Sequence, residues 1–529
     1  MGTDNLPTQN HIVSPANNQS KSNRPINWLV WLLCLSLAFL FLLIATKSSP
    51  LYPLNDWTDP NTYFTLGKGM MNGRVPYRDL FEHKGPLLFF LHGLAYTVSH
   101  TSFLGVYLVE AIAFTLFLYF SVKALSLFVH KQYALLTLPF VTVAVLNMRS
   151  FAHGDTAEEF VLPFLVASLY YLLKYFKQTD STPLPLHVFL INGILAGCVL
   201  WIKFSFLGFW IGWAAVMGLS MLLNRQFREA LLAGLVFLGG MLAASLPWLA
   251  YFGLNRALPD FFETYFFLNL SIYTESLSLK EILRTALLSF RRHLYLNPIS
   301  VSLMILGALV FLTHKKFIKN VWHRLGLLAS IGALALGVYS NGKDYIYYFL
   351  IFSPFIILGL IVLADLYAES YGKIKSKILF MLLLFALTAG GFGYTLRFNR
   401  NAYMLDWQKA DMVQYQFAAT INQSENPTLL NYGFQDGGFY TVTGITPNVR
   451  FFEKYNLDYA EFPLNMDEQN RYIKDRLVEF VVIRLSASEP AENLPIPYLY
   501  DHYHLIQQQN QFFGETEYTY LLFRRTALP

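Results

Sequence analysis

The sequence predicts an α-helical polytopic membrane protein with about eleven spanning helices and a small α/β domain at its C-terminal end. Of its 529 residues, 54% are hydrophobic and only 14% are charged, against about 25% charged in a soluble domain. Apolar runs recur from residue 28 to residue 396, and apolar content falls from residue 397 onward. Basic residues lie between the runs rather than in blocks, which argues against a nucleic-acid partner.

The apolar runs define the domain organisation. A spanning helix needs about 20 mostly apolar residues. The predicted spans are 28–46, 103–128, 133–149, 157–175, 187–203, 205–222, 230–251, 297–313, 325–340, 345–365 and 378–396. Residues 1–26 are rich in Asn, Ser, Pro and Thr and are predicted to be a disordered cytosolic tail. The first apolar run could be a signal peptide, but no clear small-residue cleavage site follows it and many more spans come later. The membrane domain is therefore 27–396, and 397–529 is a separate α/β domain.

Basic residues in alternate loops predict the orientation in a cell membrane. Short cytosolic loops carry an excess of Lys and Arg. The loops after the second, fourth, sixth, eighth and tenth spans are all basic. Their residues are His130 and Lys131; Lys174 and Lys177; Arg225 and Arg228; Lys315, Lys316, Lys319 and Arg324; and Lys373, Lys375 and Lys377. The N-terminus is therefore predicted to be cytosolic and the C-terminal domain extracytoplasmic.

One apolar segment, residues 85–99, is too short to span and contains His92. Counting it as a span would place every later basic loop outside. It is therefore predicted to be a re-entrant or interfacial helix. Two long external loops result, 47–102 and 252–296.

Short surface elements are predicted in these loops and in the C-terminal domain. An amphipathic helix is predicted at 59–72 in the first loop, and surface helices are predicted at 260–273 and 278–292 in the second. In the C-terminal domain, strands are predicted at 428–432, 480–485 and 518–523, and helices at 406–422 and 466–477.

Charged residues concentrate in the first external loop. They are Asp56, Asp59, Lys68, Arg74, Arg78, Asp79, Glu82, His83 and Lys84. A carboxylate can act as general base toward a hydroxyl, and Lys or Arg can neutralise a phosphate. Because acids and bases alternate with apolar residues, the loop is predicted to be functional rather than merely solvated.

Further candidates lie near other external ends of spans. Asp155, Glu158 and Glu159 follow the third span, where helix capping by Asp155 or Thr156 is the simpler alternative. Lys203 either snorkels to the interface or contacts a lipid phosphate. Lys343 precedes a tyrosine cluster that begins at Tyr345, which an aromatic belt also explains.

Four basic residues of the second external loop form another candidate group. Arg284, Arg291, Arg292 and His293 either surround an anionic ligand or form a solvated helix face.

The stretch from Asp59 to Pro86, ending in PYRDLFEHKGP, resembles the first external loop of bacterial GT-C-type glycosyltransferases. These integral membrane enzymes are related to protein O-mannosyltransferases and aminoarabinose transferases. The order of elements is also similar: a span, an acidic loop with juxtamembrane helices, a Lys-x-Pro segment and a second acidic turn. The resemblance covers roughly the first 210 residues, and later parts match only in layout.

The resemblance implies a sugar transfer, usually with inversion, from a polyprenyl-phosphate donor to an acceptor outside the cytosol. The acceptor would be an envelope glycopolymer, a lipid or a protein. Asp59 is implied as general base and Lys84 as a donor-phosphate contact. Asp155, Glu158 and Glu159 together cover the family's second acidic position. No cofactor is implied with certainty, and some relatives use a divalent metal.

Several residues remain candidates beside these. Arg78, Lys203 and Lys343 are further candidates for the phosphate. Asp56, Asp79, Glu82, His83, Glu159 and Tyr345 are further site candidates. No GxGxxG, Walker A or HExxH motif occurs in the chain, and Cys34 and Cys198 lie in apolar runs that make a disulfide framework or Cys-based metal site implausible.

The alternative hypothesis is a non-enzymatic transporter or scaffold for lipid-linked sugars. Transporters place ionisable groups near the bilayer midplane and often have repeated halves. Glu110, within the second predicted span, is the main buried candidate, and no half-repeat is visible. The concentration of acids in external loops favours the enzyme.

Overall fold

The structure of the protein, a computed structural model, describes residues 28–178, 184–272, 277–486, 494–513 and 516–527. The tail predicted over residues 1–26 lies outside the described residues. The helices in chain order are α1 (Trp28–Ala45), α2 (Thr58–Met71), α3 (Pro86–Val98), α4 (Leu104–Leu125), α5 (Lys131–Leu146), α6 (Ala157–Gln178), α7 (Leu186–Leu200), α8 (Gly208–Leu223), α9 (Phe227–Leu254), α10 (Leu258–Phe262), α11 (Asn269–Ser271), α12 (Leu279–Leu296), α13 (Pro298–Thr313), α14 (Val321–Val338), α15 (Ile356–Tyr371), α16 (Lys377–Phe398), α17 (Val413–Ile421), α18 (Phe439–Thr443), α19 (Pro463–Lys474) and α20 (Leu499–His502).

Every predicted span coincides with an apolar helix of the bundle. Among the described residues, eight helices are long and apolar enough to cross a membrane, two of them with a 3₁₀ segment at one end (Phe204–Leu207 and Ile346–Phe355). Three others that match predicted spans have only 15 or 16 residues: α5, α7 and α13. The polytopic helical class is confirmed, and the count of eleven spans is not.

The apolar segment 85–99 forms helix α3, which has 13 residues. Helices α1 and α4 run antiparallel, since Tyr107 bonds the Phe39 carbonyl and Tyr119 stacks on Trp31. The end of α1 and the start of α4 therefore lie at the same end of the bundle. Helices α2 and α3, which connect these two points, have 14 and 13 residues, fewer than the roughly 20 that a spanning helix needs.

The basic loops meet at the opposite end. Lys177 lies over the ring of Phe128, which also contacts Phe311. Lys316 forms ion pairs with Asp365 and Glu369. Loops that the charge pattern assigned to one side of the membrane are thus neighbours in the fold.

The C-terminal region forms a four-stranded mixed sheet, β1 (Leu429–Tyr432), β2 (Phe480–Ser486), β3 (Tyr503–Phe513) and β4 (Thr516–Arg525). The strand order is β1-β2-β4-β3, with β1 parallel to β2 and the other pairs antiparallel. Three of these strands match predicted ones. β3 was missed because this edge strand, rich in glutamine, lacks the apolar alternation of a half-buried strand.

Predicted surface and C-terminal helices differ in extent. The segment predicted as a helix over 406–422 contains only α17, preceded by two short 3₁₀ turns. The segment 260–273 is broken into α10, a π-helical turn at Glu263–Leu268 and α11. Helices α2, α12 and α19 follow their predicted ranges closely.

The C-terminal region packs directly on the first loop and on α2. Phe81 lies against Phe451, Tyr455 and Phe462, with ring centroids 4.8 to 5.3 Å away. The backbone N–H of Phe81 also donates to the Arg450 carbonyl at 3.0 Å. The loop containing the candidate residues is therefore enclosed between the helix bundle and the C-terminal domain.

Candidate functional site

A polar pocket lies at the end of the bundle that faces the C-terminal domain. His83, Lys84, Lys203, Asn269, Asn341 and Tyr348 are among its lining residues. They come from the first loop, the end of α7, α11 and the segment between α14 and α15. Four distant parts of the chain thus meet at one cavity.

Gly85 brings Lys84 next to Lys203. The N–H of Gly85 donates to the Ile202 carbonyl and that of Leu87 to the Trp201 carbonyl, both at 3.0 Å. A Cβ atom at Gly85 would lie only 2.1 Å from the Trp201 carbonyl oxygen. This close backbone contact leaves no space for any side chain at position 85.

Replacing Gly85 with alanine is therefore expected to destabilise the fold by about 1–3 kcal/mol, because the two segments must separate to admit a methyl group. Thermal unfolding in detergent measures this effect. Gly218→Ala is the matched control, since nothing lies within 4 Å of a Cβ built there. Equal unfolding temperatures for both variants would contradict the argument.

Glu82, His83 and Lys84 form one buried polar chain. His83 Nδ1 lies 2.7 Å from Glu82 Oε1, and Lys84 Nζ lies 2.8 Å from His83 Nε2. Burial and the charge of Lys84 lower the pKa of His83 to about 4, so its ring is neutral at pH 7. Burial disfavours the Glu82 carboxylate, but the charges of His83 and Lys84 outweigh burial and lower its pKa to about 2.

Lys203 is held between a carboxylate and an aromatic ring. Its Nζ lies 2.8 Å from Oε1 of Glu158, in the first turn of α6, and 3.9 Å from the centroid of the Tyr348 ring. Glu158 is buried, with 1% of its surface exposed. The ammonium group is therefore fixed in position at the pocket wall.

Asp59 lies in the first turn of α2, is half-buried, and is not among the residues that line the pocket, but it interacts electrostatically with Lys84, Glu82, Glu158 and Lys203. Burial raises the pKa of Asp59, and the nearby carboxylates Glu82 and Glu158 raise it further, whereas Lys84 and Lys203 partly oppose them. Its Oδ2 is 3.5 Å from the hydroxyl of Tyr63. A carboxylate with a raised pKa beside two lysines has the properties of a general base next to an anion-binding group.

Other predicted residues lie outside this cluster. Asp155 is fully buried, and its Oδ1 is 2.8 Å from His92 Nε2, while Glu159 accepts from the Asp155 N–H at 2.7 Å. Asp155 has a φ of 56° and therefore shapes a tight turn before α6. The structure does not bring Asp155 or Glu159 to the pocket lining.

Asp56, Arg78 and Asp79 are likewise engaged elsewhere. Asp56 forms a buried ion pair with Lys47 at 2.6 Å. Arg78 pairs with Asp79 at 2.8 Å and also donates to the Asn255 carbonyl at 2.7 Å. These contacts shape the loop and do not line the pocket.

Lys343 and Tyr345 lie on the segment between α14 and α15, close to the pocket wall. The Lys343 N–H donates to the Asn341 side chain at 3.1 Å. The Tyr345 ring stacks on Tyr347, and its hydroxyl accepts from Asn456 at 3.4 Å. Tyr345 thus meets the C-terminal domain.

The transporter hypothesis depends on Glu110, whose carboxylate is hydrogen-bonded within the protein. Its carboxylate accepts from the Thr46 hydroxyl and from the Asp155 N–H, each at 2.8 Å. The side chain is completely buried. These bonds tie α4 to the turn before α6, which explains the residue as a structural one.

Several pocket residues were not predicted. Tyr348, Asn341 and Asn269 line the pocket, and the Tyr455 ring lies 5.0 Å from that of His83. Only the tyrosine cluster gave a signal, and it was equally consistent with an aromatic belt. Nothing in the sequence near Asn269 or Tyr455 indicates proximity to Lys84.

A second group of unpredicted contacts fixes α2 to the C-terminal domain. Thr62 donates to Glu453 at 2.7 Å, Thr441 donates to Asn61 at 2.8 Å, and Lys68 Nζ donates to the Tyr440 carbonyl at 2.6 Å. Burial lowers the pKa of Lys68 to about 7, although Asp436 partly opposes this shift. The helix that carries Asp59 is thus held by buried polar bonds on its other face.

Within the described ranges, no group of three or more His, Cys, Asp or Glu side chains is arranged to hold a metal ion.

Solved structures with the same architecture identify the class of fold: it is that of GT-C-type membrane glycosyltransferases. ArnT from Cupriavidus metallidurans, bound to undecaprenyl phosphate, matches with a TM-score of 0.58 and 14% identity over 94% of this chain and 98% of that chain. Its apo form matches with a TM-score of 0.57, 14% identity and coverage of 94% and 97%.

The arabinofuranosyltransferase AftD from Mycobacteria also matches, with a TM-score of 0.51 and 12% identity over 95% of this chain and 40% of that one. No protein-family model matches the chain, and no curated protein matches it by sequence. The likeness therefore establishes the fold, and the residues of the pocket must supply the argument for function.

Proposed function

We propose that the protein is a glycosyltransferase that moves a sugar from a polyprenyl-phosphate donor to a cell-envelope acceptor. The observation that carries this proposal is the position of Lys84 and Lys203 on one pocket at the end of the bundle, with Asp59 in electrostatic interaction with both. A base for the acceptor and cations for the donor phosphate are the groups that such a transfer needs. The neighbouring ArnT structure is described as bound to undecaprenyl phosphate, which supports this donor class.

The proposed reaction is a single displacement. The acceptor hydroxyl oxygen bonds to the anomeric carbon as the bond from that carbon to the phosphate oxygen breaks. The electron pair leaves with the lipid phosphate, and the hydroxyl proton passes to the Asp59 carboxylate. The anomeric configuration is inverted, because attack and departure occur on opposite faces of the sugar.

The charges of the cluster suit this displacement. Asp59, Glu82 and Glu158 carry three negative charges when ionised, against two positive charges on Lys84 and Lys203. As the phosphate leaves, it gains one negative charge, while Asp59 loses one by taking up the proton. The total charge beside the lysines is therefore constant, and the lysines stabilise the leaving phosphate without a second acid.

The remaining residues hold the two lysines in place. Glu158 positions Lys203, and the neutral ring of His83 accepts from Lys84. Asp155 and Glu159 are proposed to support the turn that begins α6 rather than to contact the sugar, because both are buried and bonded to neighbours.

We also propose that the pocket lies on the extracytoplasmic side. The basic loops lie at the opposite end of the bundle, with Lys177 beside Phe128 and Lys316 paired with Asp365. A cytosolic location of these loops follows the positive-inside rule. The N-terminus would then be cytosolic and the C-terminal domain external.

The direct test is release of polyprenyl phosphate from proteoliposomes that contain a panel of polyprenyl-phosphate sugars and a crude envelope acceptor. Release from one donor in the presence of acceptor supports the proposal and identifies the sugar. No release from any donor, with the acceptor shown competent for another transferase, would contradict it. A transporter would be favoured if the protein translocated a donor across the membrane and if Glu110→Gln, but not Asp59→Asn, blocked this translocation.

The raised pKa of Asp59 predicts the pH dependence of transfer. Only the ionised carboxylate accepts a proton, so the rate is expected to fall as pH decreases through this raised pKa and to level off above it. The measurement is the rate of transfer at saturating donor across the acid range. The residual transfer rate of Asp59→Asn should not show this decrease at acid pH. If the decrease were unchanged in the variant, the titrating group would be another residue.

A further inference from the structure

Helix α12 has a face that no other part of the described chain covers. Leu279, Leu283, Leu287 and Leu294 lie along one stripe, because they are separated by four, four and seven residues. Their exposed fractions are 62%, 51%, 67% and 38%. An exposed leucine stripe of this length is typical of a helix that contacts lipid or another protein.

A cationic stripe runs beside the leucines. Lys280 and Arg284 each directly follow a leucine of the first stripe, and Arg291 lies seven residues after Arg284. All three side chains are exposed, and none forms an ion pair or hydrogen bond within the described residues. The acid of this helix, Glu281, is engaged in its N-terminal capping box with Ser278.

The third face of α12 is fixed to the protein. The Ser289 hydroxyl is 2.7 Å from that of Tyr339, and Arg292 pairs with Asp344 at 2.7 Å. The ring of His293 stacks on Phe349 with centroids 4.1 Å apart. The helix therefore lies at the pocket end of the bundle, against the segment 339–349.

We propose that α12 is a docking surface for anionic phospholipids of the membrane leaflet at that end. The leucines can contact lipid acyl chains, and the neighbouring unpaired cations can bind the anionic head groups of the same lipids. A protein partner would need acidic residues placed opposite each of the three cations. An anionic leaflet supplies negative charge along the whole stripe. The charge pattern thus selects the lipid.

Docking has a consequence for the pocket. Asn341 and Tyr348, which line it, belong to the segment that α12 holds through Tyr339, Asp344 and Phe349. A docked α12 therefore stabilises one wall of the pocket. This inference concerns structure and lipid, and it holds or fails independently of the transfer reaction.

The test is amide hydrogen exchange of the full chain in nanodiscs of phosphatidylcholine alone or mixed in equal parts with phosphatidylglycerol. In the anionic discs, exchange over 279–296 is expected to be at least about tenfold slower, with slower exchange over 337–348 as well. The triple variant Lys280→Gln, Arg284→Gln, Arg291→Gln should exchange at the neutral-lipid rate in both discs.

The control is the triple variant Lys373→Gln, Lys375→Gln, Lys377→Gln, which removes the same charge from exposed lysines at the other end of the bundle. It should keep the response to phosphatidylglycerol. Equal exchange of the wild type in both discs would overturn the proposal, as would loss of the response in the control. Protection in neutral discs that appears only when two copies share a disc would assign the surface to self-association.

Discussion

Asp59→Asn is expected to reduce release of polyprenyl phosphate by about 10²–10⁴-fold, the contribution of a positioned general base. The amide cannot accept the acceptor's proton, yet it has nearly the same shape as the carboxylic acid. Because burial already disfavours the charged form of Asp59, the substitution should not reduce stability. Transfer rates in proteoliposomes, normalised to folded protein, measure the effect.

A matched variant separates catalysis from general loss of charge. Asp411→Asn removes a carboxylate that is exposed on the C-terminal domain and is not among the charges that act on Asp59. It should transfer at the wild-type rate. If Asp59→Asn also retained transfer, the base would have to be another carboxylate of the cluster, and Glu82→Gln and Glu158→Gln would be the next variants to measure.

Lys84→Met is expected to lower transfer by about 10²–10³-fold, the usual cost of removing a group that stabilises developing negative charge. Methionine retains most of the apolar stem, so the backbone anchor of this residue, the bond from the Tyr77 hydroxyl to the Lys84 carbonyl, is preserved. The loss should appear in the maximal rate more than in donor affinity, since the phosphate gains charge only as it leaves.

The comparison for this prediction is Lys474→Met on the surface of α19, where the ammonium lies outside the pocket. Wild-type transfer is expected there. An increased Michaelis constant with an unchanged maximal rate in Lys84→Met would show that the lysine binds donor and transition state equally. That result would move the stabilising role to Lys203.

The membrane helices were predictable from local sequence, because each predicted span consists of a continuous run of mostly apolar residues. The prediction that residues 85–99 do not span has a different basis: the basic loops constrain the parity of the spans. Strand β3 was not predictable, since its Gln-rich sequence resembles a loop until β4 pairs with it. The π-helical turn that interrupts the helix predicted at 260–273 also could not be predicted, because no local sequence pattern indicates it.

The candidate site was predictable as a set of residue types and not as an arrangement. Asp59 and Lys84 belong to the same predicted external loop, and the family resemblance supplied their roles. The pair formed by Lys203 and Glu158 joins residues 45 positions apart, and no local pattern indicates it. The bond between Asp155 and His92 likewise depends on how α3 and α6 pack, which one sequence does not record.

The bond from Lys68 to the Tyr440 carbonyl joins residues 372 positions apart. During synthesis at about 5–20 residues per second, α2 therefore exists for about 20–75 s before its partner has been made. Until then Lys68 lacks the carbonyl that accepts its bond in the folded chain, and α2 lacks its bonds between Thr62 and Glu453 and between Asn61 and Thr441. The helix that carries Asp59 therefore reaches its final contacts late in synthesis, since those contacts depend on the C-terminal domain.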